Sequence, residues 1–157
     1  AICDRWLGQG AFGTVFAARS ATVGSDVAVK VVDLRESPAG RTAIRISRKR
    51  KYGIKKEIAT MLNLPRSNHI ITFHGASVDL GLAYIVMERC DTSLLGLIKR
   101  MPALTEAALK PMFEDMMSAL GACHAAGIAH RDVKCDNFLV DAATSGCIVK
   151  LCDFGVA

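Results

Sequence analysis

His130-Arg131-Asp132-Val133-Lys134-Cys135-Asp136-Asn137, followed by Asp153-Phe154-Gly155, is the stretch that decides how this chain is read. It reads as loop, strand, turn and strand. Asp132 offers a base, Lys134 a cation directed at phosphate, and Asn137 and Asp153 offer oxygen donors suited to a hard cation such as Mg²⁺. A base implies a hydroxyl to be deprotonated, and the metal ligands imply phosphate to be neutralised. Together they point to phosphoryl transfer from a nucleotide.

Upstream, Gly8-Gln9-Gly10-Ala11-Phe12-Gly13-Thr14-Val15 has the spacing G-x-G-x-x-G-x-V. Glycines there let the backbone approach phosphate oxygens and present N–H groups with no Cβ in the way. A dinucleotide-binding turn shares the pattern but opens a helix, whereas Thr14-Val15-Phe16-Ala17-Ala18 is β-prone or neutral. Val27-Ala28-Val29-Lys30 then places a lysine on a strand. Between Lys30 and the next strand the only glutamates are Glu36 and Glu57. Glu36 is too near along the chain to return to Lys30. Glu57 lies beside the apolar stripe of a helix, where it can turn inward and hold the ammonium as a point charge for two phosphates.

The chain has 157 residues, enough for one domain with a real core or for part of a larger one. Half of its residues are hydrophobic, which excludes a disordered polar segment. No apolar run approaches the roughly 18 residues of a membrane span, and Ala1-Ile2-Cys3-Asp4 does not read as a signal peptide. The six cysteines form no C-x-x-C pair and read as reduced thiols of a cytoplasmic or nuclear protein. The histidines are not spaced as zinc ligands. The net charge of +5 is local: residues 41–56 carry eight basic residues and, before Glu57, no acid. Outside that tract 12 basic residues face 15 acidic ones, so no general nucleic-acid-binding surface is expected.

Two compositional halves follow one another. To about Met87, β-branched runs alternate with turns: Ala28–Val32 is a strand, with a hairpin turn at Val23-Gly24-Ser25-Asp26 before it. Ile54, Ile58, Met61 and Leu62 form one stripe of a helix that ends before Pro65. Ile70–Phe73 and Ala83–Met87 read as further strands. After Glu88-Arg89-Cys90-Asp91 the pattern turns helical, with Ser93–Arg100 and a longer segment capped by Thr105 and running to Gly127. Pro111 inside it predicts a kink or restart, since an interior proline costs about 3 kcal/mol. Phe138–Val140 and Ile148–Leu151 form a hairpin closed around Thr144-Ser145-Gly146.

Taken in order, the glycine loop, V-A-V-K, H-R-D-x-K-x-x-N and D-F-G resemble the catalytic domain of eukaryotic protein kinases over essentially the whole chain. The resemblance implies an α+β, bilobal fold, with an antiparallel N-lobe sheet and one regulatory helix over about residues 1–87. It further implies a hinge at 88–91 and the first part of a helical C-lobe over 92–157. Asp132 matches the catalytic base, Lys134 the lysine that neutralises the moving phosphoryl group, and Lys30 and Glu57 the activating ion pair. Asn137 and Asp153 match the Mg²⁺ ligands. Gly8, Gly10, Gly13 and Lys30 match contacts to the phosphates of ATP. Val15, Ala28 and Leu139 match the adenine sandwich, Glu88 to Cys90 its hydrogen-bonding edge, and Met87 the gatekeeper. Phe154 and His130 match apolar plugs below Glu57, with Met61 and Phe73 above them. The Asp-x-Lys spelling resembles serine/threonine kinases. The missing proline after Lys134 leans towards the tyrosine-kinase-like or sterile groups.

Two departures stand out. The Lys30-to-Glu57 connection is longer than the family's usual one, so the basic tract 41–56 reads as an insertion before the helix. It is either a solvated face or a patch for nuclear import or an acidic partner of unknown identity, with Ser47 as a candidate phosphosite. The sequence also stops two residues after Gly155. A kinase fragment ending there is expected to be marginally stable and inactive alone, with ATP and a protein substrate as the partners of the intact enzyme. The rival reading is a truncated nucleotide-binding or scaffold module without catalysis.

Overall fold

The computed structural model describes residues 2–10, 13–36, 45–142 and 147–157. They form two compact units, Ala1–Leu62 with Phe73–Arg89, and Asn63–Thr72 with Cys90–Ala157.

In the first unit the strands are β1 (Ile2–Gly10), β2 (Gly13–Arg19), β3 (Asp26–Asp33), β4 (Arg35–Glu36), β5 (Arg45–Ile46), β6 (Phe73–Asp79) and β7 (Leu82–Glu88), with helix α1 (Arg48–Asn63) between β5 and β6. Five of the strands make an antiparallel sheet in the order β1-β2-β3-β7-β6. The β2–β3 turn closes with Ser20 N–H donating to Ser25 O at 3.1 Å, and Gly24 supplies the left-handed residue, φ 74°. Opposite residues of an antiparallel pair share a face, and alternate residues do too. The pairings Val15↔Lys30↔Ile85 and Ala17↔Ala28↔Met87 therefore set Val15, Ala28, Lys30 and Met87 on one face. On the other, Ala18, Val27 and Val29 form a buried cluster against Val31, Tyr84 and Val86.

Several expectations change here. The strand expected at Ile70–Phe73 starts only at Phe73 and runs to Asp79. Ile70 and Ile71 are buried in the second unit, where Ile71 N–H donates to Leu151 O at 2.9 Å. An edge strand with mostly exposed residues gives little periodic signal, and its hairpin turns on Leu80 and Gly81, both with positive φ. The stripe of α1 is Ile54, Glu57 and Met61, whereas Leu62 is 67% exposed. The basic tract is not wholly an insertion before the helix, because α1 begins at Arg48 and takes in Arg48 to Lys56. Ser47 is only 3% exposed at the start of α1, so it is no accessible phosphosite in the folded protein.

The second unit holds β8 (Thr92–Ser93), α2 (Leu94–Ile98), α3 (Glu106–Ala125), a single 3-10 turn (Cys135–Asn137), β9 (Phe138–Asp141) and β10 (Ile148–Leu151). Its sheet runs β10-β9-β8, and Phe138, Val140, Val149 and Leu151 form its buried side with Leu94, Ala119 and Cys123. Both helices are capped as their sequences demand. Ser93 Oγ accepts from Gly96 N–H at 3.1 Å and Thr105 Oγ1 from Ala108 N–H at 3.3 Å. Gly127, φ 72°, ends α3 with Ile128 N–H on Cys123 O and its own N–H on His124 O, both at 2.9 Å. The expected restart at Pro111 is absent, and α3 is one continuous helix. Pro111 sits in the second turn, where losing its N–H forfeits a single bond to the short capped turn upstream. The turn expected at Thr144-Ser145-Gly146 lies outside the described residues, although β9 and β10 pair as an antiparallel hairpin.

Candidate active site

The glycines separate by duty. A Cβ on Gly8 meets nothing within 4 Å, and one on Gly10 comes no closer than 3.8 Å to Gly13 O. A Cβ on Gly13 stands 2.5 Å from Val31 O. Gly8 and Gly10 thus leave open backbone at the end of β1, and Gly13 lets β2 lie close against β3. Residues 11 and 12 of the loop lie outside the described ones.

Lys30 and Glu57 do come together. Lys30 Nζ donates to Glu57 Oε1 at 2.7 Å, and the side chains are 6% and 3% exposed. A strand lysine is ordinarily solvated. Burial beside the Glu57 carboxylate binds the two together, since removing one partner of a buried ion pair costs about 3–5 kcal/mol. Ala28, 6% exposed, and Met87, 9% exposed, share the sheet face of Lys30 with the half-buried Val15. Glu88 closes β7. Cys90 and Leu139 belong to the second unit, where Leu139 pairs with Ser93 and Lys150 across the small sheet.

The second unit assembles the remaining chemistry. Lys134 Nζ donates to Asp132 Oδ2 at 2.6 Å, and Asn137 Nδ2 donates to the same oxygen at 2.9 Å and to Asp132 O at 2.8 Å. The ammonium of Lys134 first, and the Asn137 amide second, hold the Asp132 carboxyl below its ordinary range, while the same contact raises Lys134. Asp132 is therefore an ionised acceptor at neutral pH. With its amide nitrogen committed to Asp132, Asn137 has its amide oxygen left to ligate a cation.

The loop is pinned from beneath. Asp132 N–H donates to His130 Nδ1 at 3.3 Å, so the ring proton sits on Nε2, which donates to Cys152 O at 2.9 Å. Cys152 N–H in turn donates to Asn137 O at 2.9 Å. The His130 and Phe154 rings meet edge-on at 5.0 Å, and both are buried. Between these anchors Asp153 has φ 61°, and Arg131 has φ 65°. Such left-handed residues other than glycine cost of the order of 1–3 kcal/mol and persist where the surroundings over-determine them.

Two supporting contacts were not foreseen in the sequence. Asp115 Oδ2 accepts from Val149 N–H at 2.9 Å, fixing the start of β10 to α3. Arg50 Nη1 donates to Asp33 O at 2.9 Å and Arg35 O at 3.0 Å. Neither has a sequence signal, because an exposed-looking Asp or Arg is ordinary on any helix.

Among known families, the one described as Protein kinase domain matches residues 3–157. CBL-interacting protein kinase 4 of Oryza sativa subsp. japonica is 36% identical over 98% of this chain, which covers 32% of that relative. The probable serine/threonine-protein kinase zyg-1 of Caenorhabditis elegans is 33% identical over 96% of the chain and 20% of its own length. Serine/threonine-protein kinase sid1 of Schizosaccharomyces pombe is 31% identical over 98% and 30% respectively. The chain thus spans about a third or less of these relatives. It belongs to the protein kinase domain family.

Proposed function

We propose that the protein transfers the γ-phosphoryl group of ATP to serine or threonine hydroxyls of protein substrates. The carrying observation is the Asp132 carboxylate held by Lys134 at 2.6 Å and Asn137 at 2.9 Å. The hydroxyl proton passes to Asp132 as the hydroxyl oxygen bonds phosphorus and ADP departs. Lys134, raised by its carboxylate partner, stays an ammonium and neutralises charge on the moving group. Lys30, fixed by Glu57, is a cation for phosphates, and the open backbone at Gly8 and Gly10 approaches phosphate oxygens. Val15, Ala28, Met87 and Leu139 are assigned to the adenine ring, with Glu88 to Cys90 at its edge.

Mg²⁺ suits the donors present. Among the described residues no group of three or more His, Cys, Asp or Glu side chains could hold a metal on its own. Asn137 and Asp153 are instead a hard two-oxygen set of the kind that shares Mg²⁺ with substrate phosphates and water. When bound, the ion neutralises phosphate charge; Asn137 is oriented for it by Asp132, and Asp153 by the pinned Cys152 and Phe154.

The serine/threonine assignment is supported by the names of the relatives and by the Asp132-x-Lys134 spelling. No helix among the described residues is long and apolar enough to cross a membrane. The cysteines, with no C-x-x-C pair, support a cytoplasmic site of action, and the basic tract a nuclear one. Incubation of the intact protein with Mg²⁺ and labelled ATP tests the assignment. Serine and threonine peptides should be labelled and tyrosine peptides not, and Asp132→Asn should lower kcat by about 10²–10⁴-fold. Nucleotide binding with no transfer to any peptide overturns it in favour of a non-catalytic nucleotide-binding module.

A further inference from the structure

The start of α1 is fastened to the end of β3 through consecutive carbonyls. Ser47 N–H donates to Leu34 O at 2.7 Å, and Arg50 Nη1 spans the carbonyls on either side, Asp33 O at 2.9 Å and Arg35 O at 3.0 Å. Those acceptors are themselves held. Arg35 grips the Asp33 carboxylate through Nε at 2.9 Å and Nη2 at 3.0 Å, and its N–H donates to Asp33 Oδ1 at 2.9 Å. Arg45 Nε on Glu36 Oε1 at 3.1 Å closes the β4–β5 hairpin beside them.

The second fastening between α1 and β3 is the pair Glu57–Lys30. Arg50 and Glu57 are seven residues apart on the helix, about 10.5 Å at 1.5 Å per residue. Lys30 and Asp33 are three residues apart on the strand, about 10 Å at 3.3 Å per residue. The spacings match, and the two elements run in opposite directions between the ties. A slip of one helical turn, about 5.4 Å, breaks both ties together. Helix stability does not explain Arg50. The first turn of α1 holds Arg48, Lys49, Arg50 and Lys51 with no acid, an arrangement the helix dipole disfavours.

We propose that Arg50 is a positioning residue: it sets the register of α1 on β3 and so keeps Glu57 on Lys30. The kinetic consequence rests on the phosphoryl-transfer reading above, whereas the geometric one does not. In the intact protein without nucleotide, Lys30 is labelled with an amine-reactive ester and quantified by mass spectrometry against exposed Lys99. Arg50→Ala should raise Lys30 labelling several-fold, Arg50→Lys should fall between it and the parent, and Arg48→Ala should change nothing. Where activity is present, Arg50→Ala should lower kcat/KM for ATP about tenfold, equivalent to 1.36 kcal/mol. In a Glu57→Gln background it should lower kcat/KM no further, although its effect on Tm persists. A merely structural arginine gives multiplicative kinetic losses and an unchanged Lys30, and either result overturns the proposal. If Arg50→Ala does not fold, Arg50→Lys carries the same comparisons. A protein that transfers no phosphate sinks the kinase reading and leaves the labelling result decisive for Arg50.

Discussion

At Gly13 a methyl group has nowhere to go. It meets Val31 O at 2.5 Å and Val32 Cγ2 at 2.8 Å, a backbone atom and a stiff β-branched one, whereas at Gly8 the same methyl meets nothing within 4 Å. Gly13→Ala should therefore cost about 1–3 kcal/mol of stability in denaturant melts, the usual range for overpacking. Gly8→Ala should leave the melt in place and weaken ATP binding several-fold by calorimetry. Equal melts for the two variants would contradict this division. The titration of Asp132 is set in the same local way. Its carboxyl lies below the ordinary value chiefly through Lys134 and then Asn137. Removing the ammonium must raise it, so Lys134→Ala should move the Asp132 carboxyl midpoint upward in ¹³C NMR titrations. An unmoved midpoint means that Lys134 is not its main partner.

Helix α1 shows best what could be read from sequence at the level of elements and what could not. The ion pair of Glu57 with Lys30 was legible, because the apolar stripe fixed which side turns inward and only one glutamate could reach. The start of the helix was not, since Arg48-Lys49-Arg50-Lys51 carries no acid and looks like a loop. What holds it there is Ser47, 3% exposed, whose hydroxyl lowers the Glu36 carboxyl ahead of Arg45 and faces Arg50 N–H at a long 3.5 Å. Ser47→Ala should cost about 1 kcal/mol, as loss of a helix cap does, read as a lower denaturation midpoint with an unchanged slope. No change at all means that the cap belongs to the backbone alone. The loop from His130 to Asn137 was readable for a different reason: the chemistry proposed for it requires those residue types at those spacings. Ile70 and Ile71 look locally like the start of a strand, yet their partner, Leu151, is remote in sequence, and no local pattern announces it. The same holds for Arg50, whose acceptors are backbone oxygens and leave no trace in side-chain types.

Across the molecule the positive charge is concentrated. Residues 41–56 hold eight of the 20 basic residues, and the rest of the chain is acidic on balance. Arg45 is committed to Glu36 and Arg50 to carbonyls. Arg48, Lys49, Lys51, Lys55 and Lys56 are exposed and form no ion pair with a described carboxylate. Cations on neighbouring helical turns lie within the Debye length of about 8 Å at physiological ionic strength, so they act on a partner as one patch. Dispersed cations such as Arg5, Arg66 and Lys99, also exposed, do not. Replacing Arg48, Lys49 and Lys51 by glutamine, with Arg50 kept, lowers the net charge from +5 by three, and so does replacing Arg5, Arg66 and Lys99. On a sulfonated cation exchanger the first triple variant should elute at clearly lower salt than the second. Equal elution would mean that the average charge governs association and that the tract has no collective field. Because Arg50 and the Lys30–Glu57 pair are untouched, the first variant should keep the parent's Tm and Lys30 labelling. The charge of the tract and its hold on α1 can then be measured apart.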